Sequence, residues 1–510
     1  MAHSRNYLAI DLGAESGRAI VGQFDNRWLE LSEVYRFPNG PVILPARENP
    51  EIPSPAKVSL HWDVLRLYTE IKRGIALSID KYSQDLASVG IDTWGVDFGL
   101  LDHTGSLISN PYHYRDSRTD GMLEEAFRRV PRNEIYERTG IQFLQLNSLY
   151  QLLSMVVGQS PALRIAETFL TIPNLFTYWL TGIAVSEFTH ATTTQCYNPH
   201  LMDWDRFLLE QMGIPTHIFP EVVMPGTDLG KLLPYLTEEF GFGSASRLSI
   251  VAPASHDTGS AVVAVPAQDR IFTWISSGTW SVVGIEWPEP VITDQSLFYN
   301  FTNEGGVNGT FRFSRNVMGL WLLQECRRSW AHQGEELTYA DMINLAEHAE
   351  PFQAVIDPDN PEFFKPGDMP TRIHDFCFRT SQIPPDSQAA MIRCVLESLA
   401  LKYRWVIERI EEMVGQRLEP IHIVGGGSQN QKLNQFTADA TGRSVVSGPV
   451  EATAIGNILM QAIALNHLSS LHEARILVRE SFPLTTFEPR SRDGWDEAYR
   501  RLLAVLELSG

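Results

Sequence analysis

The chain reads as an α/β protein built from two related halves, and three observations carry that prediction. Strand-like and helix-like segments alternate along both halves. The length of 510 residues exceeds what a single hydrophobic core supports. A strand-turn-strand pattern near the amino terminus also returns far downstream. Its first copy is Tyr7-Leu8-Ala9-Ile10-Asp11-Leu12-Gly13-Ala14-Glu15-Ser16-Gly17-Arg18-Ala19-Ile20-Val21-Gly22-Gln23-Phe24, an apolar run broken once by a polar, glycine-bearing turn. Its second is Phe272-Thr273-Trp274-Ile275-Ser276-Ser277-Gly278-Thr279-Trp280-Ser281-Val282-Val283-Gly284-Ile285.

Taken in order, the first hairpin is followed by a third strand over Leu29 to Phe37 and a Pro-, Gly- and Asn-rich loop over Pro38 to Pro55, long enough for a functional surface or a lid. Apolar residues at helical spacing, Leu65, Leu67, Tyr68, Ile71, Ile75 and Ile79, predict a helix over Trp62 to Ile79. A buried strand, Leu86 to Asp92, then runs into a turn and a returning strand over Thr93 to Asp102. Helices are predicted around Glu134 to Arg138, Leu146 to Val157 and Asn174 to Leu180, the last stopped by Thr181-Gly182. Pro225 to Ser249 reads as a polar connection, and the strand Leu248 to Ala252 opens the second half. This places the domains at 1–250 and 251–510. Beyond the second hairpin, Asn316 to Ser329 and Ser387 to Val414 read as long helices. A strand over Ile421 to Val424 enters the glycine turn Gly425-Gly426-Gly427, with helices following from Gln431 and from Glu451.

Composition excludes several classes. A formal net charge of −20 argues against nucleic acid or anionic lipid as partners, which need a basic face. Any phosphate is therefore expected to be held by backbone N–H groups and a divalent cation. Cys196, Cys326, Cys377 and Cys394 show no zinc spacing and are expected as reduced, buried thiols, with a contact between Cys377 and Cys394 left open. The start, Met1 to Asn6, lacks the apolar core of a signal peptide, and no window approaches the roughly 18 apolar residues of a membrane span, so a cytoplasmic setting is expected. The oligomeric state, monomer or dimer, is left open.

Several residues stand out chemically. Gly13 and Gly17 are expected to reach positive φ and to bare N–H groups to an anion, with Asp11 at the strand end in reach of a metal ion. A Walker A pattern and a dinucleotide fingerprint are both absent. In Ala254-Ser255-His256-Asp257-Thr258-Gly259, at a strand-to-helix junction, Asp257 reads either as a helix cap or as a general base, and Ser255 or Thr258 as a cap. His256 reads as a packed or hydrogen-bonded histidine, or as a catalyst. Trp94 and Phe98 read as core or as sugar platforms, and Gly95 as backbone that something approaches closely. Gly425 to Gly427 read as a turn or as backbone lying flat against an adenine or ribose.

Together the segments Asp11 to Arg18, Gly90 to Phe98, Tyr114 to Arg118, Ala191 to Gln195, Ala254 to Thr258, Ser276 to Ser281, Thr302 to Gly306, Asn316 to Gln324 and Val424 to Asn430 resemble, over nearly the whole chain, the FGGY carbohydrate kinases of the actin, Hsp70 and hexokinase superfamily. The resemblance implies two actin-like, ribonuclease H-like ATPase domains with mixed sheets around a central cleft, the first mainly for sugar and the second mainly for ATP. It implies that Gly13, Ala14, Glu15, Ser16 and Gly17, with Thr279, Gln324 and Gly426, bind ATP, and that Asp11 orients Mg2+ through water. Gly95, His256, Asp257, Thr258 and Asn316 would hold the sugar, with Asp257 the proton acceptor. Glu15 departs from the serine of many relatives, so its side chain is expected to turn outward or to leave the ligand to its backbone. The expected reaction is transfer of the γ-phosphoryl group of MgATP to the 1-hydroxyl of L-rhamnulose. The alternatives are another ketose or deoxy sugar, such as L-fuculose, and an ATP-gated binding or chaperone-like module.

Overall fold

The computed structural model describes residues 5–45, 58–82, 86–241 and 248–509, which divide into two compact units. The first comprises Met1–Pro266, Glu286–Phe313 and Ala452–Ser481; the second comprises Ala267–Ile285, Ser314–Glu451 and Phe482–Gly510.

The first unit is organised by a six-stranded mixed sheet in the order Thr227–Lys231, Ser249–Ala252, Leu86–Thr93, Arg5–Leu12, Ser16–Phe24, Leu29–Pro38. The three central strands are parallel, and the flanking ones antiparallel. Burial of nearly every residue of Arg5–Leu12 explains why it reads as an unbroken apolar run rather than an alternating one. The strand Ser249–Ala252, expected to open the second half, is laid beside Leu86–Thr93 in this sheet, because its four buried residues complete the parallel core. Helix Val64–Tyr82 buries Val64, Leu67, Ile71, Ile75 and Ile79 on one stripe, while Leu65 points to solvent at 58% exposure. A second core in this unit gathers Tyr150, Phe169, Phe188, Trp204 and Phe219 among the helices between Met122 and Met212.

The second unit repeats the scheme. Thr273–Ser277 and Trp280–Trp287 form the antiparallel hairpin, Ile421–Val424 adds parallel to Thr273–Ser277, Val445–Ser447 adds parallel again, and Thr485–Phe487 closes antiparallel. Helix Gln388–Val414 starts at Ser387, whose hydroxyl accepts from the Ala390 N–H, and stops at Gly415 with φ +71°.

Three expectations change. Asn316 to Ser329 is not one helix: Phe311–Met318 is a strand, and the helix runs Trp321–His332. The break falls at Gly319, where a Cβ would lie 2.6–2.7 Å from Ser281, and the carbonyls of Gly278 and Thr279 accept the N–H groups of Leu320 and Trp321. Pro225 to Ser249 contains the strand Thr227–Lys231 and the helix Pro234–Glu239. In the expected loop Pro38 to Pro55, Pro41–Pro45 is a strand paired with Val58–Trp62, and residues 46–57 lie outside the described residues. All four cysteines are free and buried, and each of Cys377 and Cys394 is the chief influence on the other's ionisation, which holds the Cys377 thiol below and the Cys394 thiol above the usual range. Among the described residues no helix is long and apolar enough to cross a membrane.

Helix Asp257–Val263 packs on helix Ala452–Ala464 within the first unit, and the approach depends on Gly456. A Cβ there would stand 1.8 Å from the Ser260 carbonyl oxygen. In Gly456→Ala, helix propensity favours the variant by about 1 kcal/mol. The backbone clash opposes it, and overpacking of this kind costs roughly 1–3 kcal/mol or more. We expect the clash to win and the thermal unfolding midpoint to fall; an equal or higher midpoint would show that the two helices part freely.

Candidate functional site

In the first unit, three carboxylates lie at or beyond the carboxyl ends of the three central parallel strands. Asp11 is in register with Asp92 across the sheet. Beyond Ser249–Ala252 the chain stays alongside its neighbour, with Thr93 N–H donating to Ser255 O at 2.9 Å and Thr93 bridging to His256, and Asp257 follows. The sequence needed a strand-turn-helix junction here, and it supplies small residues that let the helix Asp257–Val263 start at once.

Asp11 is buried and ion-paired to Arg18, with Nη2 to Oδ2 at 2.5 Å. Asp92 has no exposed surface; Asn457 Nδ2 donates to its Oδ2 at 2.6 Å, and Gln461, bonded to Asn457 Oδ1 at 2.7 Å, locks that amide. Burial, then the Asp11 charge, holds the Asp92 carboxyl well above the usual range. Asp257 is raised too, by burial first, with His256 opposing and Asp11 adding. Its side chain keeps 33% exposure, which leaves it open to a substrate. Neither Ser255 nor Thr258 caps the helix: Asp257 is its first residue, and its Oδ1 accepts from Thr258 N–H at 2.5 Å and from Thr258 Oγ1 at 3.2 Å.

His256 Nε2 lies 3.4 Å from Asp257 Oδ1, and a Cβ on Gly95 would meet Nε2 at 3.2 Å. The structure therefore brings Gly95, His256, Asp257 and Thr258 together. Gly95 is held by its neighbours. Val96 sits at φ +67°, a strained conformation for a β-branched residue, with its N–H donating to Thr193 Oγ1 at 3.2 Å and its carbonyl accepting from Ser148 Oγ. Asp97, wholly buried, accepts from Trp62 Nε1 (2.6 Å), Trp94 Nε1 (3.0 Å), Gln151 Nε2 (2.9 Å) and Tyr114 N–H (3.2 Å), and burial pushes its carboxyl up to about 6. Trp94 is thus a core residue packed on Trp62, with ring centroids 3.9 Å apart and the planes tilted by 32°, and Phe98 packs on Phe169.

The first turn is tighter than expected. Neither Gly13 nor Gly17 takes a positive φ. Gly17 is required because a Cβ would strike the Phe37 ring at 2.3 Å. Gly13 N–H closes the turn on Ser16 O at 2.9 Å, and Asn39 Nδ2 braces Gly13 O at 2.7 Å. Ala14 and Ser16 are half-buried, and Glu15 is exposed, as an outward side chain requires.

In the second unit, Thr279 sits at the tip of the hairpin turn, and Gln324 lies on the first turn of helix Trp321–His332. Gln324 Oε1 is buried and meets no hydrogen-bond donor among the described residues, as an acceptor reserved for a ligand would. The three glycines divide by role. Gly425, at φ +85°, and Gly427 are dictated by packing on Ser277, whereas a Cβ on Gly426 would meet nothing within 4 Å. Only Gly426 offers open backbone, at the start of the helical turn Gly426–Gln429. Asn316 is half-buried on the strand Phe311–Met318.

Four residues of the site were not singled out from sequence. Asp92 and Glu304 lie inside motif segments without a role attached. Glu187 and Arg312 carry one signal only, a charge inside an apolar run, Val185-Ser186-Glu187-Phe188 and Phe311-Arg312-Phe313. Glu187 is fully buried and accepts from Thr189 N–H (2.9 Å), Thr189 Oγ1 (2.6 Å) and Ser255 N–H (3.0 Å), while His256 N–H donates to Thr189 Oγ1 at 3.1 Å. This pair fixes the backbone that carries His256.

Burial pushes the Glu187 carboxyl up to about 7 from its ordinary 4.5, against the hydrogen bonds of Thr189 and Ser255. The folded protein holds this proton when the unfolded chain has lost it, so the group's contribution is most favourable below the unfolded value. It declines as pH rises from about 4.5 to 7, by about 3 kcal/mol in all. Glu187→Gln removes that slope. Between about pH 5 and pH 8 the wild type should lose about 2–3 kcal/mol of unfolding free energy relative to the variant, read by denaturant titration; a pH-independent difference would show that Glu187 is ionised in the fold.

Comparison with known proteins agrees with this architecture. Residues 6–264 match the N-terminal domain, and residues 273–465 the C-terminal domain, of the FGGY family of carbohydrate kinases. The chain is 42% identical over 495 residues to a rhamnulokinase of Bacteroides thetaiotaomicron, covering 97% of this chain and 98% of that protein. It is 40% identical over 487 residues to a rhamnulokinase of Oceanobacillus iheyensis, covering 96% and 99%. Among solved structures, gluconate kinase from Lactobacillus acidophilus superposes with a TM-score of 0.78 at 15% identity, covering 99% of this chain and 97% of that one. Plasmodium falciparum glycerol kinase with ADP superposes with a TM-score of 0.73 at 16% identity, covering 99% and 98%. Those two share the fold. The matched domains and the full-length relatives show that the chain belongs to the FGGY family of carbohydrate kinases.

Proposed function

We propose that this carbohydrate kinase transfers the γ-phosphoryl group of ATP to the 1-hydroxyl of L-rhamnulose, giving L-rhamnulose 1-phosphate and ADP, with Asp257 as proton acceptor. Similarity along the whole chain to proteins named rhamnulokinase supports the sugar. The observation that carries the base is the placement of Asp257. The contacts described above, to His256 and Thr258, all fall on Oδ1, which leaves Oδ2 to a hydroxyl. Its raised affinity for protons suits a group that must take one at neutral pH. As O1 attacks the γ-phosphorus, its proton passes to Asp257 and the bond to the β-γ bridging oxygen breaks.

Gly95, His256, Thr258 and Asn316 orient the sugar, the first unit serving chiefly for this. The turn Gly13, Ala14, Glu15, Ser16 and Gly17 meets the phosphates through its backbone, and Thr279, Gln324 and Gly426 of the second unit bind the nucleotide. Among the described residues no three His, Cys, Asp or Glu side chains are grouped as direct metal ligands. Asp11, a buried carboxylate held by Arg18, fits Mg2+ bound mainly by water and nucleotide phosphates. When bound, that ion would neutralise charge on the phosphates. Four reduced, buried thiols support a cytoplasmic setting.

In a coupled ADP-release assay across a panel of ketoses, L-rhamnulose should give the highest kcat/KM, and Asp257→Asn should lower kcat by roughly 10²–10⁴-fold. ATP hydrolysis independent of any sugar, or undiminished turnover in Asp257→Asn, would overturn the reading. Gly95→Ala presses a methyl group against His256 Nε2 and should raise KM for the sugar several-fold with the KM for ATP unchanged.

A further inference from the structure

The strand Phe311–Met318 buries an arginine completely between two phenylalanines. Arg312 Nε donates to Gly305 O at 2.8 Å, and Nη2 donates to His256 Nδ1 at 3.0 Å and lies 3.1 Å from Glu304 Oε2. Glu304, itself only 6% exposed, approaches His256 Nδ1 at 3.3 Å. Two partners of opposite demand therefore meet one ring nitrogen: the guanidinium needs a lone pair there, and the carboxylate needs a proton. The guanidinium does not deprotonate in proteins, and its N–H is directed at Nδ1 within hydrogen-bond geometry. Glu304 instead serves the guanidinium, supplying the negative charge that a buried Arg312 requires.

With Nδ1 an acceptor, the proton of a neutral His256 ring sits on Nε2. Nε2 is the nitrogen on the side of Asp257 and Gly95, 3.4 Å from Asp257 Oδ1 and 3.2 Å from where a Cβ on Gly95 would lie. The other ring near His256, His190 at 6.0 Å between centroids, does not compete. Burial pushes its pKa down to about 3, and its Nε2 is spent on Trp94 O at 2.9 Å. We propose that Arg312 is a positioning residue that fixes His256 as its Nε2–H tautomer, so that the ring presents a hydrogen-bond donor to Asp257 and the sugar oxygens. Arg312 touches neither; it acts through His256. The kinetic part of this proposal rests on Asp257 being the proton acceptor, whereas the tautomer is a property of the sugar-free protein.

Two-bond proton-nitrogen NMR correlations on the deuterated, ¹⁵N-histidine-labelled full chain, with His256 assigned from its loss in His256→Asn, read the tautomer directly at mildly alkaline pH. Wild type should carry the proton on Nε2. In Arg312→Met the Glu304 carboxylate should draw it to Nδ1, and kcat should fall roughly 10–100-fold while KM for ATP stays within about twofold. Arg312→Lys, whose ammonium can still donate to Nδ1, should restore Nε2–H and part of kcat. A proton on Nδ1 in wild type overturns the proposal, as does an unchanged tautomer in a folded Arg312→Met protein. If Arg312→Met does not fold, Glu304→Gln decides together with the wild-type spectrum, because Arg312 remains there and Nδ1–H in either protein is fatal. Full activity of Asp257→Asn would instead sink the proton-acceptor reading and leave the tautomer result standing.

Discussion

The site depends on the parallel register of three neighbouring strands, Ser249–Ala252, Leu86–Thr93 and Arg5–Leu12. Parallel strands deliver their carboxyl ends to one edge, so Asp11, Asp92 and, past the turn, Asp257 arrive on the same side of the sheet. Burial at that edge, with the Asp11 charge adding to it, is why Asp92 and Asp257 both hold protons more tightly than usual. The fold answers this charge with fixed donors: Arg18 on Asp11, and the Asn457 amide on Asp92. Helix Ala452–Ala464 is thereby tied to the sheet, with Gln461 also reaching Leu8 O at 3.0 Å and receiving Ser88 Oγ at 2.7 Å. Segments hundreds of positions apart in the chain share one buried polar network.

Around that edge, buried carboxyl groups hold backbone. Asp97 gathers two indole N–H groups, an amide and a backbone N–H, and so keeps the strained Val96 and the adjoining Gly95 in place. Glu187 and Thr189 do the same for Ser255 and His256. Each is a buried polar group hydrogen-bonded inside the protein, an arrangement that favours one conformation because any other would strand a buried polar group. In the second unit the work falls to glycine. Gly319 lets the helix Trp321–His332 begin against the hairpin turn, and Gly427 lets the glycine turn close on Ser277, leaving the Gly426 backbone open.

Some of this was legible in the residues, and the reasons differ by element. The two hairpins announced themselves because central strands buried on both faces read as apolar runs, and the repeated order of antiparallel and parallel partners bears out the related halves they predicted. The stretch Asn316 to Ser329 misled because helical spacing in Leu320 to Leu323 runs on from a strand, and nothing local marks Gly319 as the junction until Ser281 is packed against it. Gly17 misled in the other direction: a glycine in a polar turn suggests a bare N–H, but the Phe37 ring is what excludes a Cβ.

By itself, the sequence determined the α/β class, the repeated hairpin, the acidic net charge, and the identity of His256 and Asp257 as neighbours at a strand-to-helix junction. These follow from periodicity, composition and adjacency, which are local properties. Only the tertiary structure decided that Asp92 faces Asp11, that Glu187 holds Ser255, and that Arg312 meets His256 Nδ1. Those contacts join residues far apart in the chain, and what makes a buried charge tolerable is the partner that folding brings to it, which no window of sequence contains.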